Sequence, residues 1–294
     1  MSLKIAIAIA TAGRRDILSE TIRFLANQSR PADELLICPA KEIDLDIACL
    51  DKFPSPSKVV SGPVGASAQR NVLINASTAD VIVFFDDDFL PASNFLFEIE
   101  RLFSSNNKIV IATGNVLADG APGKGLNHDE GVMLLSTLKA ATRSKTITPI
   151  FNGYGCNMAV RMSVVRSTGI RFDERLPRYS WLEDVDFSRQ FASFGQIVKV
   201  DALEGVHLGT KKAGRSPGKS LGYSQIANRV YIMRKGNMSR KQAFEGSLRN
   251  IAANLVRSLN PEPWVDRRGR LHGNFLALWD WMRGRNDPEK ILKF

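Results

Sequence analysis

An α/β fold, with a mainly parallel sheet flanked by helices and a helical extension at the C-terminus, follows from three features of the 294-residue sequence. Short apolar runs alternate with segments of helical periodicity over the first 115 residues. One of those runs, residues 81–85, is continuously apolar, as a strand covered on both faces must be. Beyond residue 235 the strand-like runs stop, and apolar residues recur at three- and four-residue steps.

The elements follow in order. Residues 4–10 alternate Ile and Ala and read as a buried first strand. Residues 16–28 place Leu18, Ile22 and Leu25 on one helical face, with Asp16 as cap and Pro31 just past the end. Residues 34–38 form a second strand. Residues 58–60 form a short third, leading into the turn Gly62-Pro63-Val64-Gly65. A helix over 67–76, the strand 81–85, a helix over 93–103 and a strand over 109–112 complete this half. From Gly114 the rhythm loosens: 119–127 reads as a loop, 161–168 and 183–194 as helices, and 197–200 as a strand. Residues 208–222, rich in glycine and in Lys/Arg, read as mobile. The division expected is one domain over 1–235 and a basic amphipathic extension over 236–294.

Charge is distributed unevenly. The net charge is +10, yet residues 205–294 hold 18 Lys/Arg against 6 Asp/Glu, leaving 22 against 24 in the first 204. A basic end on a near-neutral body suits an anionic partner: a nucleotide, a lipid headgroup or a nucleic acid. Cys38, Cys49 and Cys156 are widely spaced and form no CxxC pair, which argues against a disulfide framework and a structural zinc site. No segment reaches the ~18–20 apolar residues of a membrane span. The apolar run after Lys4 and before Ala10-Thr11-Ala12 is shorter than the roughly 7–15 residues of a signal core. A cytoplasmic protein is expected.

The strongest chemical signal is Asp86-Asp87-Asp88, directly after the apolar strand. Three adjacent carboxylates repel one another, and in an open α/β sheet ligands bind beyond the carboxyl ends of strands. Carboxylate oxygens suit Mg²⁺ or Mn²⁺, which could bridge them to phosphates; the plain alternative is a solvated acidic turn. A second signal is Trp181-Leu182-Glu183-Asp184-Val185-Asp186-Phe187. Its acids could merely complement a helix dipole, or one could serve as a general base. His207, one of three histidines, precedes the basic pair Lys211-Lys212.

Taken together and in order, several segments resemble the family-2 glycosyltransferases. They are Arg70-Asn71, Asp86-Asp87-Asp88, the stretch from Asn152 to Ala159, Phe172-Asp173-Glu174, Glu183-Asp184-Val185-Asp186 and His207. The resemblance covers about residues 4–235. It implies a single nucleotide-diphospho-sugar-binding α/β domain with a DxD motif, working with Mn²⁺ or Mg²⁺ and inverting the transferred sugar. By the same resemblance Thr11, Arg14 and Arg70 belong to the donor pocket. Asp86 contacts the ribose, Asp87 supports it, and Asp88 holds the metal with His207. Asp184 is the general base, and Trp181 and Glu183 lie on the acceptor side. Two departures leave the nucleotide base open. Ala10-Thr11-Ala12-Gly13 stands where the family often has Pro-x-Tyr-Asn, and Cys38-Pro39-Ala40 stands where an Asp is common.

In the basic extension, residues 239–259 predict an amphipathic helix with Ala243, Phe244, Leu248, Ile251, Leu255 and Leu259 on one side. Trp264, Trp279 and Trp281 follow among arginines, a pairing that suits a membrane interface, unless the helix simply packs on the domain. The expected partners are a nucleotide-sugar donor, a saccharide or lipid-linked acceptor and an anionic membrane surface, with no nucleic acid. Two alternatives are weaker. A sugar-phosphate nucleotidyltransferase would open with a better Gly-rich basic loop than Ala12-Gly13-Arg14-Arg15. A nucleic-acid binder would carry an aromatic and basic strand face. The absence of GxGxxG after the first strand disfavours a dinucleotide enzyme.

Overall fold

The computed structural model describes residues 2–139, 146–211 and 217–294. Lys212 and part of the glycine-rich stretch expected to be mobile lie outside the described residues. The first half contains β1 (Ile5–Thr11), α1 (Arg15–Leu25), β2 (Glu34–Pro39), β3 (Ser57–Val59), α2 (Ala66–Ala76) and β4 (Val81–Asp86). After it come β5 (Phe89–Pro91), α3 (Phe95–Ser105), β6 (Ile109–Asp119), α4 (His128–Lys139), β7 (Ile147–Pro149), β8 (Asn157–Arg161) and α5 (Met162–Thr168). The chain then forms α6 (Glu183–Gln190), β9 (Gln196–His207), α7 (Gly218–Arg234), α8 (Arg240–Arg257) and α9 (Arg267–Met282).

The strands build one mixed sheet in the order β3-β2-β1-β4-β8-β6-β9-β5, with β7 paired to β9. β1, β2, β3, β4, β6 and β9 run in one direction, and β5, β7 and β8 run against them, so the sheet is mostly parallel. Period-two alternation in β1 explains the two cores. Ile5, Ile7 and Ile9 meet Leu18, Ile22 and Leu25 of α1 and Leu96 and Ile99 of α3. Ala6 and Ala8, on the other face, leave room for Leu73 and Ile74 of α2 and for Phe187 and Phe191.

Four details differ from the sequence expectation. α1 starts at Arg15 behind Arg14, without a side-chain cap, and Asp16 sits inside its first turn. α6 ends at Gln190 rather than 194. β6 does not stop at Ala112 but continues to Asp119, following β9 through register shifts at Gly114/Asn115 and Val116/Ala118. At Gly114 a Cβ would stand 2.2 Å from the Leu203 carbonyl oxygen, so only glycine allows the two strands this approach. β9 in turn begins at Gln196 and runs to His207, well past Val200.

The C-terminal helices assemble on α7. Tyr223, Ile226 and Ala227 pack against Ala277 of α9 and Ile291 of the closing turn. Gly222 and Gly273 let α7 and α9 touch backbone to backbone, since a Cβ on either would lie about 2 Å from a carbonyl oxygen of the other helix. The buried Asn254 donates to Gln225 and Asn274, tying α8 to both. α8 is capped by Ser239 and Gln242. Much of its apolar side faces outward: Phe244, Leu248, Leu255 and Leu259 are each more than half exposed. No helix among the described residues is long and apolar enough to cross a membrane.

Lys235, just past α7, donates to Asp173 and to the fully buried Asp186, each at 2.6 Å. Replacing it leaves a buried carboxylate short of its countercharge, a change worth about 3 kcal/mol. Lys235→Met is therefore expected to lower the denaturant midpoint without changing the slope of the unfolding curve. An unchanged midpoint would mean that Asn237, which also donates to Asp186, suffices alone.

Candidate active site

The carboxyl ends of β1 and β4 open on one cleft of about 1200 Å³, and the last residue of β9 lies behind Asp86 and Asp119 of its wall. β4 delivers Asp86 at its end, and the chain turns at Asp87 and Asp88 into β5. Each of the three acids meets a different surrounding. Asp87 is buried, accepting from Thr11 Oγ1 at 2.7 Å and from Arg14 at 2.7 Å. Burial pushes its carboxyl up to about 6 against the pull of Arg14. Thr11 and Arg14 line the cleft, but their polar atoms are turned toward this acid. Asp88 is almost completely buried. Its Oδ2 accepts from the Thr210 backbone N–H at 2.8 Å and lies 3.3 Å from Arg14. Burial would raise its pKa, but His207 and Arg14 hold it well below the carboxylate range. Asp86 stays partly open at the cleft and accepts from Arg70 at 3.0 Å.

His207, the last residue of β9, lies between two sets of carboxylates. Its Nδ1 is 2.9 Å from Asp119, and its Nε2 is 3.3 Å from Asp88 Oδ1 and 3.8 Å from Asp86. Burial alone would lower its pKa, but Asp119 and Asp88 outweigh it and raise the ring to about 10. One ligand atom each from Asp86, Asp88 and His207 lies within 4.8 Å of the others. These residues fit a divalent cation on two counts. Asp88 Oδ1, though buried, accepts no hydrogen bond among the described residues and faces His207 Nε2. And a carboxylate on Nδ1 is the arrangement that aims Nε2 at a metal. Asp119 and Tyr154, whose hydroxyl donates to Asp119 at 3.0 Å, were not assigned from the sequence. Tyr154 falls in the Asn152–Ala159 stretch, which carried no individual role for it, and Asp119 shows in the sequence only as a polar end to an apolar run.

The second acidic motif approaches from the opposite wall. Arg178, Ser180 and Leu182 all take positive φ, an uncommon backbone for side-chain-bearing residues. The segment is pinned by the Ala66 N–H donating to Arg178 O and the Ser180 hydroxyl donating to Leu176 O. It sets Tyr179 and Trp181 against the cleft, ring centroids 6.3 Å apart, and the buried indole N–H of Trp181 has no partner among the described residues. Arg70 joins the two motifs, donating to Glu183 at 2.5 Å and to Asp86, with its guanidinium 5.4 Å from the Phe172 ring. Asn71 fastens the neighbouring segment by pairing with both backbone groups of Phe172. Burial drives Glu183 up to about 8, opposed by Arg70 and reinforced by Asp184. Among the described residues Asp184 accepts only backbone N–H groups, from Gly155 at 3.2 Å and Val185 at 2.8 Å. Burial raises its pKa as well. Asp186, in contrast, points into the protein and belongs to the Lys235 network.

A parallel-cored sheet with an Asp-Asp-His cluster at its strand ends, facing a second pair of acids, is an arrangement suited to metal-assisted transfer from a phosphorylated donor. The sequence model of glycosyl transferase family 2 matches residues 6–169, and the chain belongs to that family. The chain is similar in fold to S. aureus TarS residues 1–349, at 14% identity and a TM-score of 0.56, covering 96% of this chain and 92% of that one. It is likewise similar to the mannosyltransferase PcManGT from Pyrobaculum calidifontis, solved with GDP-Man and Mn²⁺. That likeness has 13% identity and a TM-score of 0.56, over 99% of this chain and 86% of that one. S. aureus TarS 1–349 with UDP gives 15% identity and a TM-score of 0.52, over 96% and 92%. No curated protein matches the sequence significantly.

Proposed function

We propose that the protein is an inverting, metal-dependent glycosyltransferase, moving a sugar from a nucleotide diphosphate to a hydroxyl of a saccharide or lipid-linked acceptor in polysaccharide or glycolipid assembly. The observation that carries it is one cleft lined by Asp86, the open member of the Asp86–Asp88–His207 cluster, and by Asp184, whose carboxylate is held among the described residues by backbone N–H groups. Family membership favours this reading over a nucleotidyltransferase or a nucleic-acid binder.

Mn²⁺ or Mg²⁺, held by Asp88 and His207 with Asp86 beside them, would supply the positive charge that a departing diphosphate needs. Asp119 keeps His207 oriented. Thr11 and Arg14 fix Asp87, and thereby the turn that carries Asp88. Arg70 couples Asp86 to Glu183, so the donor wall and the acceptor wall hold a common register. Asp184 takes the proton of the acceptor hydroxyl as its oxygen bonds to the anomeric carbon. The bond from that carbon to the diphosphate breaks on the opposite face, which inverts the centre. Trp181, which lines the cleft beside Glu183 and Asp184, is the acceptor-side contact. The basic extension over 236–294 would lie against an anionic membrane surface on its cytoplasmic side, consistent with three free, buried cysteines.

A thermal-shift series with UDP, GDP and dTDP, with and without Mn²⁺, tests the donor side. A ligand that binds the native state raises stability by RT ln(1 + [L]/Kd), about 2.7 kcal/mol at 100 Kd. One nucleotide is expected to raise Tm clearly more with Mn²⁺ than without. No response to any nucleotide would refute the reading.

A further inference from the structure

We propose that the far end of the cleft, where α8 meets α9, is a subsite for the phosphate of a lipid acceptor presented at a membrane surface. Its role in catalysis rests on the glycosyl-transfer reading above; its binding chemistry stands apart from it. Arg257, Arg267 and Arg270 line the cleft together with Gln225 of α7, which is tied to Arg267 through Asn254, while Asn228 one turn further along α7 donates to the Trp181 carbonyl. From Pro217 onward every lining residue is either uncharged or arginine. The lining carboxylates, Asp86, Asp87, Asp119, Glu183 and Asp184, all come from the sheet and α6 side. The carboxylates of the cleft therefore lie on the side that also carries Arg14, Arg70, Arg178 and Lys211, whereas the end formed by α8 and α9 is lined by arginine with no carboxylate.

The arginines are positioned rather than loose. Arg267 is 8% exposed and gives Glu262 two hydrogen bonds, at 2.8 and 2.7 Å, and Asn254 a third at 3.2 Å. Arg257 donates to the same Glu262 at 2.9 Å. Glu262 thus offsets one of three positive charges while locking two guanidinium groups in place, and the exposed Asp266 is engaged as the cap of α9. Guanidinium forks match phosphate oxygens in pairs, which ammonium groups do not. The cleft, at about 1200 Å³, exceeds the roughly 300–1000 Å³ of an ordinary small-ligand site, so an acceptor fits beside a donor.

What surrounds the arginines identifies the source of the phosphate. Leu255, Val256 and Leu259 at the end of α8, and Trp264 in the connection to α9, are 53, 68, 86 and 42% exposed. Scattered exposed apolar side chains are ordinary. Here four of them flank Arg257, Arg267 and Arg268 within one corner of the fold. Apolar groups that enter the acyl boundary, interleaved with arginines at headgroup level, are the pattern of an interfacial surface. Seated there, the lipid phosphate would meet the arginines while the acceptor hydroxyl extends past Gln225 toward Asp184.

Flotation of the full chain with vesicles tests this, using phosphatidylcholine alone or mixed with phosphatidylglycerol. The double variant Arg257→Gln/Arg270→Gln is expected to lose binding to the anionic vesicles by about 10-fold or more, since each basic residue at such a surface counts for a factor of about 5. Lys41→Gln/Lys58→Gln, which removes the same charge elsewhere, should change it less than about 2-fold. Leu255→Ser/Leu259→Ser should remove the part of the binding that survives high salt. All three variants should keep the Mn²⁺-dependent nucleotide response. Equal loss in the arginine and lysine pairs would overturn the subsite, as would binding by glycerol phosphate with none to vesicles, which would make the acceptor a soluble phosphate. Vesicle binding that depends on the arginines in a protein responding to no nucleotide would uphold the lipid site and refute glycosyl transfer instead.

Discussion

Asparagine in place of Asp184 is expected to slow glycosyl transfer by about 100- to 10,000-fold while leaving donor binding unchanged. The carboxylate has no salt bridge among the described residues and is held by two backbone N–H groups, so an amide keeps one of those bonds and most of the shape. What it loses is the capacity to accept a proton. Burial raises the pKa of Asp184, and a base works only when ionised. The wild-type rate should accordingly rise with pH through a limb above the ordinary carboxylate range, and fall as pH drops below it. Glu183, driven up to about 8, titrates with it as a pair, so the limb belongs to both. Initial rates at saturating donor, across pH, give the measurement. Near-normal transfer by Asp184→Asn, with loss in Glu183→Gln, would move the base one residue back.

The sequence carries the acidic triplet more legibly than the residues packed around it, and the reason is physical. Asp86-Asp87-Asp88 follows a strand buried on both faces, so charge density and position announce themselves within eight residues. Asp119 does not, because β6 reaches it only by pairing with β9 through two register shifts, and that pairing is set by residues some 90 positions away. The same non-local pairing carries β9 past Val200 to His207, which the sequence marks as a histidine but not as a strand end. α7 and α9 were not predicted as helices for a different reason. Ser220, Gly222, Ser224, Gln225 and Asn228 are among the buried residues of α7, and Gly273 and Asn274 among those of α9. In α7 these are buried together with Leu221, Tyr223, Ile226 and Ile232, so polar and apolar residues alike are covered around the helix and no single apolar stripe stands out. α8 shows the converse: its stripe was legible, but Phe244, Leu248 and Leu255 face outward, so periodicity gave the helix and not the direction of its face.

Asp87 and Asp88, adjacent in sequence, should separate cleanly under the same substitution. Asp88→Asn removes one negative charge from the Asp86–Asp88–His207 cluster, at the carboxylate whose buried Oδ1 accepts no hydrogen bond among the described residues. The Arg14 charge stays compensated by Asp87 at 2.7 Å, and an amide oxygen can still accept from the Thr210 N–H. The variant should nevertheless unfold below the wild-type midpoint, because His207 and Arg14 hold the Asp88 carboxyl below the ordinary carboxylate range and its charge therefore supports the fold. It should need at least about 10-fold more Mn²⁺ to stabilise bound nucleotide, the lower range for disturbing even the outer partners of a metal site. Transfer should fall with it. Asp87→Asn should leave that requirement alone, because both its oxygens are engaged by Thr11 and Arg14 within the protein. Losing hydrogen bonds to a buried charged group costs about 2 kcal/mol, so its unfolding midpoint should drop while the Mn²⁺ requirement stays close to wild type. Titrating Mn²⁺ against nucleotide-dependent Tm for both variants reads the two effects in one experiment. An unchanged Mn²⁺ requirement in a folded Asp88→Asn protein would remove Asp88 from the metal site. His207, 3.3 Å away and already bridged to Asp119, would then serve as a protonated contact for the diphosphate itself.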